Sequence, residues 1–116
     1  MESVQKYLEG FLHENPKARI FVEGYTDNLP VKNPVVDYQR FCTVYDDNFT
    51  LSAARAREAR RYLIGSLHAD AARRIVVAGY GESKPLFGID PADSKNRRVE
   101  VLFMIEQEAK PETMEN

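Results

Sequence analysis

A chain of 116 residues with 43% hydrophobic and 29% charged side chains is built like one folded domain with a single core, which excludes a disordered chain. Its 18 acidic and 16 basic residues leave a net charge of −2, which argues against nucleic acid as the partner. No apolar run approaches the roughly 20 residues of a bilayer span, no secretory leader precedes the first helical pattern, and the single cysteine, Cys42, excludes an internal disulfide.

In chain order, residues 3–14 read as a helix. Ser3 is its expected N-cap, and Val4, Leu8, Phe11 and Leu12 form an apolar stripe at helical spacing. Asn15-Pro16 ends it, because a residue before proline is pushed out of the α region. Residues 20–23 follow as a β-rich strand that runs into Gly24-Tyr25-Thr26-Asp27, so Asp27 is expected just past a strand's carboxyl end. Residues 28–47 are hard to assign. Pro30 and Pro34 break regular structure, while Val35, Val36, Tyr38, Phe41, Val44 and Tyr45 are too apolar for a solvated linker. The expectation is an ordered excursion packed over the domain, with a helical turn around residues 38–43.

The next helix begins near Leu51, capped by Thr50 or Asn48, and runs to about Leu67. Ala56, Ala59, Leu63 and Leu67 make its core stripe, with alanines small enough for close packing on a sheet. Arg57, Glu58, Arg60 and Arg61 read as its solvated face. Residues 68–73 make a turn before a second strand at 75–78, which exits through Gly79-Tyr80-Gly81-Glu82-Ser83-Lys84-Pro85. A further loop leads to Asn96-Arg97-Arg98 and to a last strand at 98–105. There Val99, Val101, Phe103 and Ile105 alternate with Arg98, Glu100 and Leu102. Two helix–strand units plus a terminal strand predict a small sheet with helices packed on one face.

The chemistry concentrates at two places. Asp27 at a strand end and Arg55 in the first turns of a helix can meet across one crevice. A carboxylate plus a guanidinium suits a ligand carrying both an ammonium and a carboxylate, since the planar guanidinium clamps carboxylates bidentately. The helix's first amides add a weak positive field for an anion. The plainer alternatives are a turn aspartate at 27 and, for Arg55, a surface arginine or an internal ion pair to Asp27 or Asp47. Asn48 and Thr50 can be caps. Asn96, Arg97 and Arg98 either touch an anionic ligand or pin their loop. His13 and His68 lie near helix C-termini, where terminal carbonyls are their natural partners. With no zinc spacing, phosphate loop or nucleophile elbow, the chain does not read as an enzyme and implies no cofactor and no metal.

Four motifs in order carry a resemblance that covers nearly the whole chain: Val22-Glu23-Gly24-Tyr25-Thr26-Asp27; Asn48, Leu51, Ser52, Arg55 and Ala56; Gly79-Tyr80-Gly81-Glu82-Ser83-Lys84-Pro85; and Asn96-Arg97-Arg98-Val99-Glu100-Val101. Together they resemble the OmpA-like peptidoglycan-binding domain. Thr26-Asp27-Asn28-Leu29-Pro30-Val31 and the long excursion after it look most like the MotB type, a flagellar stator subunit. The outer-membrane lipoprotein branch usually has a shorter, Gly-containing loop there.

The resemblance implies an α+β fold, an OmpA-C-like sandwich with a small mixed sheet, over residues 1–106, with the ordered loop at 28–47 and a polar tail at 107–116. It implies non-covalent binding of the peptidoglycan stem peptide at diaminopimelate. By motif, Asp27 takes the ammonium and Arg55 the carboxylate, with Thr26, Asn48 and Leu51 lining the site and Asn96 and Arg97 or Arg98 on the stem or sugars. It implies a periplasmic or cell-envelope location, with membrane attachment only through a segment outside this chain. Family members usually begin with a strand ahead of the first helix. That strand has no counterpart here, so an open sheet edge is expected, and with it an alternative use of the fold in homodimerisation or protein interaction.

Overall fold

A computed structural model describes residues 2–41, 45–65, 67 and 69–105. The order of elements is helix α1 (Glu2–Glu14), strand β1 (Ala18–Tyr25), the short helix α2 (Tyr38–Phe41), the long helix α3 (Asn48–Ile64), the single turn α4 (Ala69–Ala72), strand β2 (Ile75–Gly79), a 3-10 turn (Ser94–Asn96) and strand β3 (Arg98–Ile105). The strands form one mixed sheet in the order β2-β1-β3. β1 runs parallel to β2, with Ile20 opposite Ile75 and Gly24 opposite Gly79, and antiparallel to β3, with Val22 opposite Val101. The fold is α+β, as the motif order implied.

β1 is central, and its alternation decides which face the helices cover. Ala18, Ile20 and Val22 are buried, and with Leu8 and Leu12 of α1, Ala56 and Leu63 of α3 and Ile75 of β2 they form the core. Ala59 and Leu67 pack against its margin, completing the expected stripe. α3 lies close on the sheet because two strand residues lack a side chain. A Cβ on Gly24 would collide with the Ser52 carbonyl oxygen, and one on Gly79 would come within 2.6 Å of the Ala53 nitrogen.

Two arginines fasten the connections. Arg74 donates from Nε to the Ala18 carbonyl and from Nη1 to the Leu12 carbonyl, at 3.0 and 2.9 Å, tying the start of β2 to the turn between α1 and β1. Arg60 donates to the carbonyls of Ile75 and Ala72 at 2.6 and 2.8 Å. Arg60 is thus a brace under the α4–β2 connection and not part of a solvated face, whereas Arg61 with Glu58 is the surface pair expected there.

Other boundaries also differ from the sequence reading. α1 begins at Glu2, so Ser3 lies inside the helix. β1 extends two residues beyond the expected strand at each end, because pairing on both sides recruits its flanks. α3 stops at Ile64, since Gly65 turns out of the helix with φ +42°. Residues 69–72 form a helical turn. The helical turn expected at 38–43 is present as α2, and Cys42, His68 and the 107–116 tail lie outside the described residues. β3 departs most. Its Val99, Val101 and Phe103 lie in register with the buried face of β1, yet they stay 37–40% exposed because α3 covers mainly β1 and β2. Tyr7 and Phe11 of α1 meet Phe103 edge-on at 5.6 and 5.1 Å and cover part of that flank. The outer edge of β3 has no strand partner among the described residues.

Candidate functional site

The site begins where β1 leaves the sheet. The Thr26 amide donates to the Gly81 carbonyl at 2.8 Å and the Tyr80 amide to the Gly24 carbonyl at 3.0 Å, so the exits of the two parallel strands are laced together. This leaves Thr26 and Asp27 buried, at 4% and 6% exposure. The Asp27 carboxylate is oriented from within its own turn, because Oδ1 accepts the Leu29 amide at 3.1 Å. Its other oxygen, Oδ2, lies 3.5 Å from Nε of Arg97.

α3 supplies the facing wall. Its N-cap is Asp47, not Thr50 or Asn48 as expected. Asp47 is extended and accepts the Thr50 amide at 2.8 Å, while the Thr50 hydroxyl accepts the Asp47 amide at 3.1 Å, a reciprocal capping box. The Thr50 amide and hydroxyl hold the Asp47 carboxyl below its usual range. Asn48 is thereby freed to point inward. Its Nδ2 donates to the carbonyls of Asp27 and Leu29, at 3.3 and 3.0 Å, and to Oε1 of Glu82 at 2.9 Å. Asn48 ties the Asp27 turn to α3 and to the β2 exit.

Leu51 and Arg55 follow on the same face of α3, one turn apart. The Arg55 guanidinium is exposed and has no hydrogen bond or ion pair among the described residues. Between these walls opens a crevice of about 340 Å³. Thr26, Asp27 and Asn48 line its inner side, Leu51 and Arg55 the helix side, residues 29–33 with Tyr45 the outer side, and Arg97 its rim. The outer wall is held by a two-way backbone bridge between Val35 and Tyr45, with bonds of 2.8 and 2.7 Å. Residues 29–33 and Tyr45 of the excursion are therefore a wall of the crevice.

Six of the eight expected residues line this crevice: Thr26, Asp27, Asn48, Leu51, Arg55 and Arg97. Asn96 lies outside it, fully buried. Its Oδ1 accepts the Leu86 amide at 2.7 Å, and its Nδ2 donates to the carbonyls of Asp90 and Asp93 at 2.8 and 3.2 Å, which pins the loop before β3. Arg98 points to the opposite side of the sheet, where its guanidinium lies 4.0 Å above the Tyr25 ring and pairs with Glu100 at 2.6 Å. Strand alternation separates the two arginines, since neighbours entering a strand face opposite ways. Lys32 and Tyr45 also line the crevice, and Ser52 and Glu82 support it. The sequence held no signal for Lys32 or Tyr45 beyond their place in the excursion. Among the described residues no group of three or more His, Cys, Asp or Glu could hold a metal ion, and no helix is long and apolar enough to cross a membrane.

Comparison with known proteins bears on the family and the fold. Residues 1–98 match the OmpA family. The chain is 37% identical over 101 residues to Motility protein B of Bacillus subtilis (strain 168), a match that covers 85% of this chain and 35% of that protein. Among solved structures it is similar to the periplasmic domain of Helicobacter pylori MotB, with a TM-score of 0.65 at 19% identity over 97% of this chain and 66% of that one. It is also similar to a putative MotB-like protein from Desulfovibrio vulgaris, with a TM-score of 0.60 at 27% identity over 89% of this chain and 60% of that one. The chain thus spans about a third of the curated relative and less than two thirds of each of these structures. It belongs to the OmpA family and is a MotB-type domain of that non-enzymatic, generally peptidoglycan-binding group.

Proposed function

We propose that the crevice binds the stem peptide of peptidoglycan non-covalently at its diaminopimelate residue, and that the domain thereby anchors an envelope protein, of the flagellar stator kind, to the cell wall. Asp27 receives the ammonium and Arg55 clamps the carboxylate. Thr26, Asn48 and Leu51 line the pocket, and Arg97 approaches the stem from the rim. Asn96 and Arg98 act from outside, by holding the loop and strand that present Arg97. We assign the binding module to residues 1–106 and its place of work to the periplasm, where the matched MotB domains belong.

One observation carries this reading. A buried, oriented carboxylate and a guanidinium with no ion pair among the described residues open on the same crevice. A ligand with the matching zwitterion satisfies both, whereas one lacking its carboxylate leaves Arg55 without a partner in the bound complex.

Calorimetry with a diaminopimelate-containing muropeptide and its lysine-containing counterpart tests the proposal. Saturable binding of the first, at least roughly tenfold weaker binding of the second, and a similar loss in Arg55→Ala are expected. Equal affinity for the two stems would overturn it. A second reading, self-association, draws on the exposed Val99, Val101, Phe103 and Ile105 beside the open edge of β3. Sedimentation of the ligand-free chain decides it, and a concentration-independent monomer removes it.

A further inference from the structure

The charges around the crevice exceed what one zwitterion needs. Among the described residues Asp27 is the single carboxylate in its lining, against three cations, Lys32, Arg55 and Arg97. Arg55 and Lys32 have no hydrogen bond or ion pair among the described residues. Among the described residues the Arg97 side chain reaches only Asp27, through Nε at 3.5 Å, with its own side chain 52% exposed and that of Asp27 8% exposed. A half-exposed guanidinium from the rim thus lies against the buried carboxylate that a ligand ammonium would need.

We infer that Arg97 is an exchangeable counter-ion for Asp27 and that, once displaced, it forms with Lys32 a second anion subsite that takes a further carboxylate of the ligand. The inference rests on the function proposed above and extends it to ligand charge. The preferred ligand carries one ammonium and two carboxylates, the first on Arg55 and the second on Arg97 and Lys32.

The electrostatics give this a sign. An ammonium arriving at Asp27 meets the Arg97 guanidinium on the same carboxylate, and two like charges within a few ångströms of one anion repel. Arg97 therefore opposes a ligand that brings only a zwitterion. A second ligand carboxylate draws the guanidinium aside and turns the opposing charge into an attracting one. Lys32, on the outer wall of the crevice, adds a flexible ammonium with no competing partner among the described residues. Because both side chains are solvated, each step is worth a modest factor and is screened by salt.

The stem peptide offers two sources for that second carboxylate: the remaining carboxylate of diaminopimelate itself and the α-carboxylate of the preceding γ-linked glutamate. The test uses the tripeptide alanyl-γ-glutamyl-diaminopimelate with both groups free and two mono-amides, one at each position. Binding is measured by calorimetry at low and at high salt on wild type, Lys32→Met, Arg97→Gln and Arg55→Ala. One of the two amides is expected to bind wild type roughly threefold to tenfold more weakly at low salt. That difference is expected to vanish in Arg97→Gln and to shrink in Lys32→Met. Arg97→Gln is further expected to bind the weaker amide better than wild type does, since the competitor for Asp27 is gone. A merely structural arginine would not raise affinity for any ligand. If wild type binds all three peptides equally while Arg55→Ala abolishes binding, the second subsite is overturned and the proposed function stands. If Arg97→Gln weakens all three alike, the exchange is overturned. If folded wild type binds none, the proposed function itself is overturned.

Discussion

Strands β1 and β2 leave the sheet through the same dipeptide, Gly24-Tyr25 and Gly79-Tyr80, yet the next residues send one exit into the crevice and the other behind it. Both glycines let α3 approach, against Ser52 and Ala53 respectively. The two tyrosine rings stack at 5.3 Å with an interplanar angle of 11°, and both hydroxyls donate to the Glu23 carboxylate, at 2.8 and 3.2 Å. Beyond that point the exits diverge. After Tyr25, Thr26-Asp27 turns under the start of α3 and presents a buried carboxylate to the crevice. After Tyr80, Gly81 donates to the Ser52 hydroxyl at 2.9 Å, and Glu82 accepts from Asn48. The first exit lines the crevice and the second props it. Similar local sequence builds the scaffold twice, and two residues decide which copy lines the crevice.

The largest way to break the comparison lies at the glycines. Gly24 is in the central strand, paired on both sides, so an added Cβ cannot retreat from the Ser52 carbonyl. Gly24→Ala is expected to cost more than about 3 kcal/mol. Gly79 ends an edge strand that can yield, and Gly79→Ala is expected to cost about 1–3 kcal/mol. Urea unfolding of the two variants checks the order, and equal losses would show that the exits are held alike.

A charge swap at each exit sharpens the functional half. Asp27→Asn keeps an acceptor for the Leu29 amide but removes the charge that the proposed function sets against a ligand ammonium. It is expected to weaken muropeptide binding by at least roughly tenfold with little change in stability. Glu82→Gln keeps an acceptor for Asn48 and is expected to change affinity by less than roughly threefold. Binding isotherms for both variants decide the point, and a comparable loss in Glu82→Gln would make the second exit part of the site.

Between these two lies Ser52, fully buried, whose hydroxyl donates to the Phe49 carbonyl and accepts the Gly81 amide. Ser52→Ala leaves that amide without its partner and is expected to cost about 1–3 kcal/mol. A loss in thermal stability that leaves affinity intact would place Ser52 with the prop. A loss of affinity in the folded protein would join it to the crevice.

How much of this could be read beforehand follows from the range of each interaction. The amphipathic stripe of α1, the alternation of β1 and the alanines of α3 are short-range patterns that mirror burial, so the helices, the three strands and the core were legible. That Asp27 and Arg55 share one crevice was legible because both sit at element ends, where sequence punctuation marks them. The cap was misplaced by one to three residues because Asp47, Asn48 and Thr50 are all good cap residues, and only geometry shows that Asn48 points into the site. Arg97 and Arg98 are adjacent and alike, so no sequence pattern says which enters the crevice. The phase of the strand does. The braces by Arg60 and Arg74 join positions 12 to 62 residues apart, and such contacts leave no local trace. The exposed flank of β3 was invisible for a related reason, since its alternation matches that of a covered strand and the position of α3 decides how far it is covered.

The smallest expected effect concerns the tyrosine pair that the two exits share. Tyr25 is held un-ionised well above the ordinary tyrosine range, first by burial, then by its hydrogen bond to Glu23 and by the negative charges of Glu23 and Glu100. Tyr80 is raised as well, chiefly by its bond to the same Glu23. In the unfolded chain both titrate near pH 10. A group whose folded pKa lies above its unfolded value adds stability that is fully present below the unfolded value. That stability is lost as pH rises through the folded one. Folding stability should therefore be level with respect to these two groups up to about pH 9 and fall above about pH 10. Tyr25→Phe should flatten most of that fall and Tyr80→Phe less of it, because Tyr25 is the more deeply buried partner. Unfolding followed across pH 8 to 11 in the two variants measures the difference. An equal response would mean that the shared Glu23 carboxylate, and not the burial of Tyr25 at the first exit, controls both rings.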